Sequence, residues 1–208
     1  MRIFSLQISF KGLLVLYVIT AIVFLLVRKI KSKKQQYYTL GYCLFYIFYY
    51  MLLVNVVVLP ITILYGASSK QIASVVGTSW NNIQLIPFSS IVSESTYTWG
   101  RIQIIGNFIL LMPFVAQLLL VSKRKKGEIG ILTLFLSVAI ELQQFLNNYL
   151  TKYPSHAIDI DDIILNVLGG SCVIILYIII EHYSPNNIKK LKCFCQVEKS
   201  MKTNQVEI

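Results

Sequence analysis

The chain has 208 residues, of which 56% are hydrophobic and only 13% are charged, and its formal net charge is +10. A soluble domain usually carries about 25% charged residues. The composition and a mean hydropathy of +0.66 therefore argue against a soluble domain and indicate an integral membrane protein. The basic residues stand between apolar runs, which predicts cationic segments beside anionic lipid and no nucleic-acid binding.

Five apolar runs are long enough to cross a bilayer, because about 20 residues span its hydrocarbon core. They cover residues 8–27, 40–65, 104–121, 129–147 and 162–180. The first is longer than a typical signal-peptide core, so we expect a retained span. The second contains Pro60, which predicts a kink or an early exit there. The predicted fold class is all-α, a polytopic membrane bundle of about five transmembrane helices.

The distribution of Lys and Arg predicts the orientation. Segment 28–40, segment 123–126 and the tail after residue 180 together hold fourteen of these residues, against five in the remaining segments. The positive-inside rule then places the amino terminus outside and the carboxyl terminus in the cytoplasm. The apolar runs and this orientation together predict three regions: two helices with a basic cytoplasmic loop (1–70), three further helices (71–180) and a basic cytoplasmic tail (181–208).

In this orientation, most of the polar residues of the apolar runs fall at the extracytoplasmic face. One helical stripe contains Asp159, Asp162, Asn166 and Gly169, and a second contains Ser137, Glu141, Gln144 and Asn148. Two such stripes on consecutive antiparallel helices should face each other, with Gly169 and Gly170 allowing close backbone approach. Asp161 falls off the stripe and is predicted to be solvated. Four aromatic residues are expected in an outer aromatic belt, namely Trp80, Tyr97, Trp99 and Tyr153.

Four blocks of the sequence carry a family resemblance. "IQLIPF" (83–88), "GNFILLMPF" (106–114), "SVAIELQQF" (137–145) and "DIDDIILNVLGG" (159–170) resemble, in this order, the VanZ-like family of bacterial membrane proteins. The similarity spans about residues 80 to 178. It implies a multi-pass protein of the bacterial cell membrane that contributes to resistance against teicoplanin and related lipoglycopeptides.

The resemblance also implies which positions matter. The positions that match the family motifs are Pro87, Phe88, Asn107, Pro113, Glu141, Gln144, Asp159, Asp162, Asn166 and Gly169. The chain departs from the family pattern at Gln84, Val115 and His156. His156 stands where many members carry Arg, which replaces a permanent cation near the aspartates with a titratable side chain.

The predicted binding site consists of Arg101, Asn107, Glu141, Gln144, Asp159, Asp162 and Asn166. Glu141, Asp159 and Asp162 are also the candidate catalytic residues. Other interpretations stay open: Glu141 as a structural hydrogen-bond partner, the aspartates as helix caps, or the stripe as oxygen ligands of a divalent cation such as magnesium or calcium. Arg101 either binds a phosphate, pairs with the carboxylates, or is a plain interfacial arginine.

Three functions fit these features. The leading hypothesis is an outward-facing polar pocket that recognises an envelope component, such as a lipid-linked cell-wall precursor, or the lipoglycopeptide itself. The second is a membrane-embedded hydrolase or transferase of a lipid-linked envelope substrate that uses Glu141 as its acid or base, with Asp159 and Asp162 as metal ligands or second carboxylates. The third is an accessory scaffold for cell-wall synthesis, in which the polar stripes only pack helices.

Overall fold

A computed structural model describes residues 2–6, 8–31, 37–59, 61–65, 83–151 and 156–192. The helices are α1 (Phe10–Lys31), α2 (Tyr37–Val58), α3 (Ser89–Glu94), α4 (Thr98–Leu110), α5 (Met112–Val121), α6 (Lys126–Thr151), α7 (Ile160–Tyr183) and α8 (185–192). Four short strands accompany them: β1 (Arg2–Leu6), β2 (Ile61–Tyr65), β3 (Ile83–Gln84) and β4 (Ile158–Asp159).

Within this part of the chain, four helical segments are long and apolar enough to cross a membrane. They are Leu40–Val58, Thr98–Val121, Lys126–Thr151 and Ile160–Tyr183, and Phe10–Leu26 is a shorter apolar helix. The prediction of an all-α membrane bundle is therefore confirmed. The orientation of its termini and the division into three regions stay predictions.

The bounds of two predicted spans need correction. The second ends at Val58 rather than at residue 65, because Ile61–Tyr65 forms β2 and pairs antiparallel with β1, Arg2 opposite Tyr65. Pro60, where an early exit was expected, lies outside the described residues. The third begins at Thr98 rather than at 104, and it is broken between α4 and α5 at Leu111. Pro113 explains the break, because proline has no N–H for the helical hydrogen bond.

Helix α2 supplies partners at this break. The Tyr49 hydroxyl donates to the Leu110 carbonyl at 2.9 Å, and the Tyr46 hydroxyl donates to the Pro113 carbonyl at 3.1 Å. Carbonyls without a partner are costly in lipid. The two tyrosines therefore stabilise a broken helix that the bilayer alone would penalise.

Helix α7 is the centre of the bundle, where it packs against α4, α5 and α6. At Gly169, a Cβ atom would lie 1.8 Å from the Phe108 carbonyl oxygen of α4; at Gly170, it would lie 2.8 Å from Thr133 Cγ2 of α6. Both glycines thus permit a helix approach that any larger residue would prevent. The predicted close approach at this pair is confirmed.

The two ends of the bundle differ in charge. At the end of α7 near Tyr183, Lys126 Nζ lies 2.6 Å from Glu181 Oε2, and Val115, Leu119 and Ile129 form a buried apolar cluster on this side. The opposite end, where α7 begins, carries the acidic residues of the candidate site.

Candidate functional site

Backbone pairing positions the start of α7. The Asn148 side chain donates to the His156 carbonyl at 2.7 Å and accepts the His156 N–H at 3.2 Å. Directly afterwards, β4 pairs in parallel with β3, so that Ile158 lies opposite Ile83 and Asp159 opposite Gln84. Two sequence blocks that are far apart in the chain, 83–88 and 159–170, therefore meet at the mouth of the bundle.

Glu141 and Asp159 are joined at this point. The Asp159 N–H donates to Glu141 Oε2 at 3.1 Å, while Asp159 Oδ1 accepts the Asp161 N–H at 2.9 Å and so caps α7. Glu141 is only 5% exposed and Asp159 only 4%. Asp159 thus acts as a helix cap, as one interpretation expected, and its backbone also holds the Glu141 carboxylate, which belongs to the interior of α6.

Asp162 and Asn166 connect α7 to its two neighbours. The Asn107 amide of α4 donates to Asp162 Oδ1, and one turn further on Asn166 Nδ2 donates to Ser137 Oγ of α6 at 3.1 Å. The two polar stripes do face each other, as predicted, and α4 adds a third wall. The Asn166 Oδ1 atom is buried and accepts no hydrogen bond from the described residues.

The expectation that Asp161 is solvated is wrong. This residue is 1% exposed, and its carboxylate accepts the backbone N–H groups of Phe88 at 2.6 Å, Ser90 at 2.9 Å and Ile91 at 3.1 Å. Its place off the α7 stripe turns it towards α3, where unpaired N–H groups at the helix start need an acceptor. Helical spacing could not reveal this contact, because the donors belong to another segment.

Two predicted site residues are not joined to the group. Arg101 is exposed on α4 and forms no ion pair within the described part of the chain. Gln144 is half-buried on α6, and its Oε1 atom accepts no hydrogen bond there. The contacts therefore bring together Asn107, Glu141, Asp159, Asp162 and, below them, Asn166.

The sequence pattern did not predict one acidic residue near the site, Glu94. Burial raises the pKa of Glu94 above its usual value, and the nearby charges of Asp159 and Asp161 raise it further. Glu94 ends α3, and Gly100 leaves room for it, since a Cβ there would lie 2.3 Å from the Glu94 carbonyl oxygen. The closeness of Glu94 to the aspartates follows from the pairing of β3 with β4, which its local sequence does not signal.

The site is rich in acceptors and poor in cations. The ion pair of the described residues, Lys126 with Glu181, lies at the other end of the bundle. No group of three or more His, Cys, Asp or Glu side chains among the described residues is arranged to hold a metal ion. Carboxylate and amide oxygens without cationic partners are suited to bind ammonium groups or hydroxyls, which donate hydrogen bonds.

Comparison with known proteins places this arrangement in a family. No curated protein and no solved structure matches the chain significantly. A family model described as VanZ/LLP1 matches residues 45–181. The match starts within α2, so it covers more of the chain than the four blocks between residues 80 and 178, and it includes every residue of the site. This membrane protein therefore belongs to the VanZ/LLP1 family.

Proposed function

We propose that the protein acts in the bacterial cell membrane and contributes to resistance against lipoglycopeptides such as teicoplanin. It does so through a polar pocket that faces the cell exterior and engages an envelope component or the antibiotic. The observation that carries the proposal is the convergence of Glu141, Asp159 and Asp162 with Asn107 at one end of the bundle. Buried acidic residues within membrane helices are costly, and they most often serve function.

The distribution of basic residues supports an outward-facing pocket. Fourteen of the nineteen Lys and Arg residues fall in segments that the positive-inside rule assigns to the cytoplasm. The acidic site lies away from these segments, at the start of α7 and beside Glu141 in the interior of α6. A ligand from the cell wall or from outside the cell would then reach it without crossing the membrane.

The chemistry of the pocket favours a ligand that donates hydrogen bonds. Carboxylates repel the diphosphate of a lipid-linked cell-wall precursor, so they would contact its sugar hydroxyls or an amine, and the same groups occur on a glycopeptide antibiotic. The exposed guanidinium of Arg101, near the start of α4, is the group that would meet a phosphate.

The proposal is tested by teicoplanin susceptibility of a host that carries the wild type, Glu141→Gln or Asp162→Asn. Membrane levels are quantified by immunoblot. We expect both variants to lose protection at unchanged protein level, because each loses a carboxylate of the pocket and keeps its volume. Glu128→Gln is the matched control, because Glu128 is an exposed acid in the first turn of α6, at the opposite end of that helix.

Either of two other results would count against the pocket. Full protection by both variants would indicate that the polar stripes serve only to pack the helices. A loss of protein level in proportion to the loss of protection would favour the scaffold hypothesis, in which these residues only assemble the bundle.

A second candidate function is a membrane-embedded hydrolase or transferase that acts on a lipid-linked envelope substrate. It is favoured by the Glu141 carboxylate, which is 5% exposed and accepts a single hydrogen bond from the described residues, that of the Asp159 N–H. Such a carboxyl group retains acceptor capacity for proton transfer. Mass spectrometry of envelope lipids and glycans tests this function, because only an enzyme would yield a product that disappears in Glu141→Gln.

A further inference from the structure

Segment 85–99 exposes large apolar side chains although it lies almost entirely outside the membrane-crossing helices. Leu85, Ile86 and Val92 are each 67% exposed, Phe88 is 58% exposed and Trp99 is 79% exposed. The segment contains one charged residue, Glu94, and no Lys or Arg. Exposed apolar side chains concentrated in one segment mark a site of contact with lipid or with another protein.

Its place in the chain puts the segment beside the bilayer surface. Helix α4 starts at Thr98 and belongs to the span Thr98–Val121, so residues 85–97 stand directly at the membrane end of this span. Tyr97 and Trp99 flank its first residue, where aromatic side chains prefer the interface between headgroups and hydrocarbon. Because the chain connects them directly to the start of a membrane span, the exposed apolar residues lie close to the membrane surface.

Backbone N–H groups of the segment are paired within the protein, which suits an environment with little water. Asp161 accepts the N–H groups of Phe88, Ser90 and Ile91. The turn that ends α3 is closed by Ser95 N–H to the Ile91 carbonyl at 3.1 Å and Tyr97 N–H to the Glu94 carbonyl at 3.3 Å. Backbone donors that enter lipid must be paired within the protein, and these donors are paired.

Three exposed hydroxyls of the segment are paired as well. Ser93 Oγ donates to the Ser90 carbonyl at 3.1 Å, Ser95 Oγ to the Val92 carbonyl at 2.8 Å, and Thr96 Oγ1 to the Ser93 carbonyl at 2.7 Å. In water these hydroxyls would gain little from such local bonds, whereas near lipid the bonds lower the cost of removing them from water.

We infer that residues 85–99, anchored by Asp161, form an interfacial segment that inserts Leu85, Ile86, Phe88 and Val92 into the phospholipid leaflet on the side of the acidic site. Because the segment has no basic residue, its attachment is apolar and does not depend on anionic lipid. The mouth of the acidic site then opens among lipid headgroups. This inference does not rest on the proposed function, since the segment can insert whatever the site binds.

Tryptophan quenching by brominated phospholipids tests the inference. The full-length protein is reconstituted into phosphatidylcholine vesicles with and without bromine on the acyl chains. In a background of Trp80→Phe and Trp99→Phe, Val92→Trp is the test position. Leu142→Trp, on the exposed face of α6, is the lipid-facing reference, and Arg124→Trp, in the linker before α6, is the reference outside the helices.

We expect bromine to quench Val92→Trp nearly as strongly as Leu142→Trp, clearly more than Arg124→Trp, and equally at low and high salt. Quenching no stronger than that of Arg124→Trp would overturn the inference. A disulfide-linked dimer formed through Val92→Cys, together with absent quenching of Val92→Trp, would overturn it in favour of contact with a second copy of the chain. These outcomes are independent of teicoplanin protection by Glu141→Gln, so the two proposals can fail separately.

Discussion

The Asp161 carboxylate accepts the backbone N–H of Phe88 at 2.6 Å, although the two residues are 73 positions apart. Phe88 has a φ of 65°, in the left-handed region that costs residues with a Cβ about 1 kcal/mol. The charged acceptor offsets this cost and also binds two further N–H groups of the same turn. One carboxylate thus fixes the "PF" turn against the start of α7.

Replacement of Asp161 should therefore destabilise the protein. In Asp161→Asn, one of the two acceptor oxygens becomes an NH₂ group that faces backbone donors, so N–H groups are left unpaired. We expect a loss of about 1–3 kcal/mol in the free energy of unfolding, measured by denaturant titration in detergent. Asp162→Asn is the matched control because it retains an oxygen for the Asn107 amide. Equal losses in the two variants would contradict the anchoring role of Asp161.

Gly169 should tolerate no larger residue. A Cβ there would overlap the Phe108 carbonyl oxygen, so Gly169→Ala forces α4 and α7 apart. We expect a cost of about 1–3 kcal/mol, as for overpacked cores, seen as a lower melting temperature in detergent. Gly106→Ala on α4 is the control, since nothing lies within 4 Å of a Cβ at that position. A melting temperature of Gly169→Ala equal to that of the control would show that the helices are less closely packed.

Asn107 and Asp162 should be energetically coupled. Their hydrogen bond joins α4 to α7, and interhelical hydrogen bonds in membrane proteins average about 0.6 kcal/mol in double-mutant cycles. For the cycle of Asn107→Ala, Asp162→Ala and the double variant, we expect a coupling of roughly 0.5–1.5 kcal/mol, measured from unfolding in detergent. Additive effects of the two changes would indicate that the two side chains do not interact.

Glu94 should make stability depend on pH. Burial and the neighbouring charges of Asp159 and Asp161 raise its pKa in the folded protein, so folding favours its protonated form. The stability that Glu94 contributes is therefore present below its unfolded pKa and is lost as the pH rises through the raised pKa. Glu94→Gln should melt at a higher temperature than the wild type at neutral pH, and the difference should disappear in acid.

Glu128→Gln serves as the control for this pH effect, because Glu128 is exposed in the first turn of α6. Thermal melts of the three proteins across a pH series provide the measurement. A lower melting temperature of Glu94→Gln at neutral pH would mean that the Glu94 carboxylate is stabilised by a partner rather than opposed by its neighbours.

Much of the architecture follows from the sequence because the bilayer imposes a simple length rule. About twenty apolar residues must form a helix to cross it, so the runs that became α6 and α7 could be predicted to within a few residues. The facing of these two helices was also predictable, since helical spacing puts Glu141 and Ser137 on one stripe and Asp162 and Asn166 on another. Local periodicity is sufficient to predict which faces of these two helices meet.

Only the tertiary structure determines which residues surround the acidic site at the start of α7. The pairing of β3 with β4 brings Glu94 to the aspartates, and it turns Asp161 from an expected surface residue into a buried anchor for α3. Both outcomes depend on contacts between segments more than sixty residues apart. Hydrophobic patterning cannot predict such contacts. It does not indicate which distant carboxylate will accept the unpaired N–H groups of a helix start, because the two are brought together only when the chain folds.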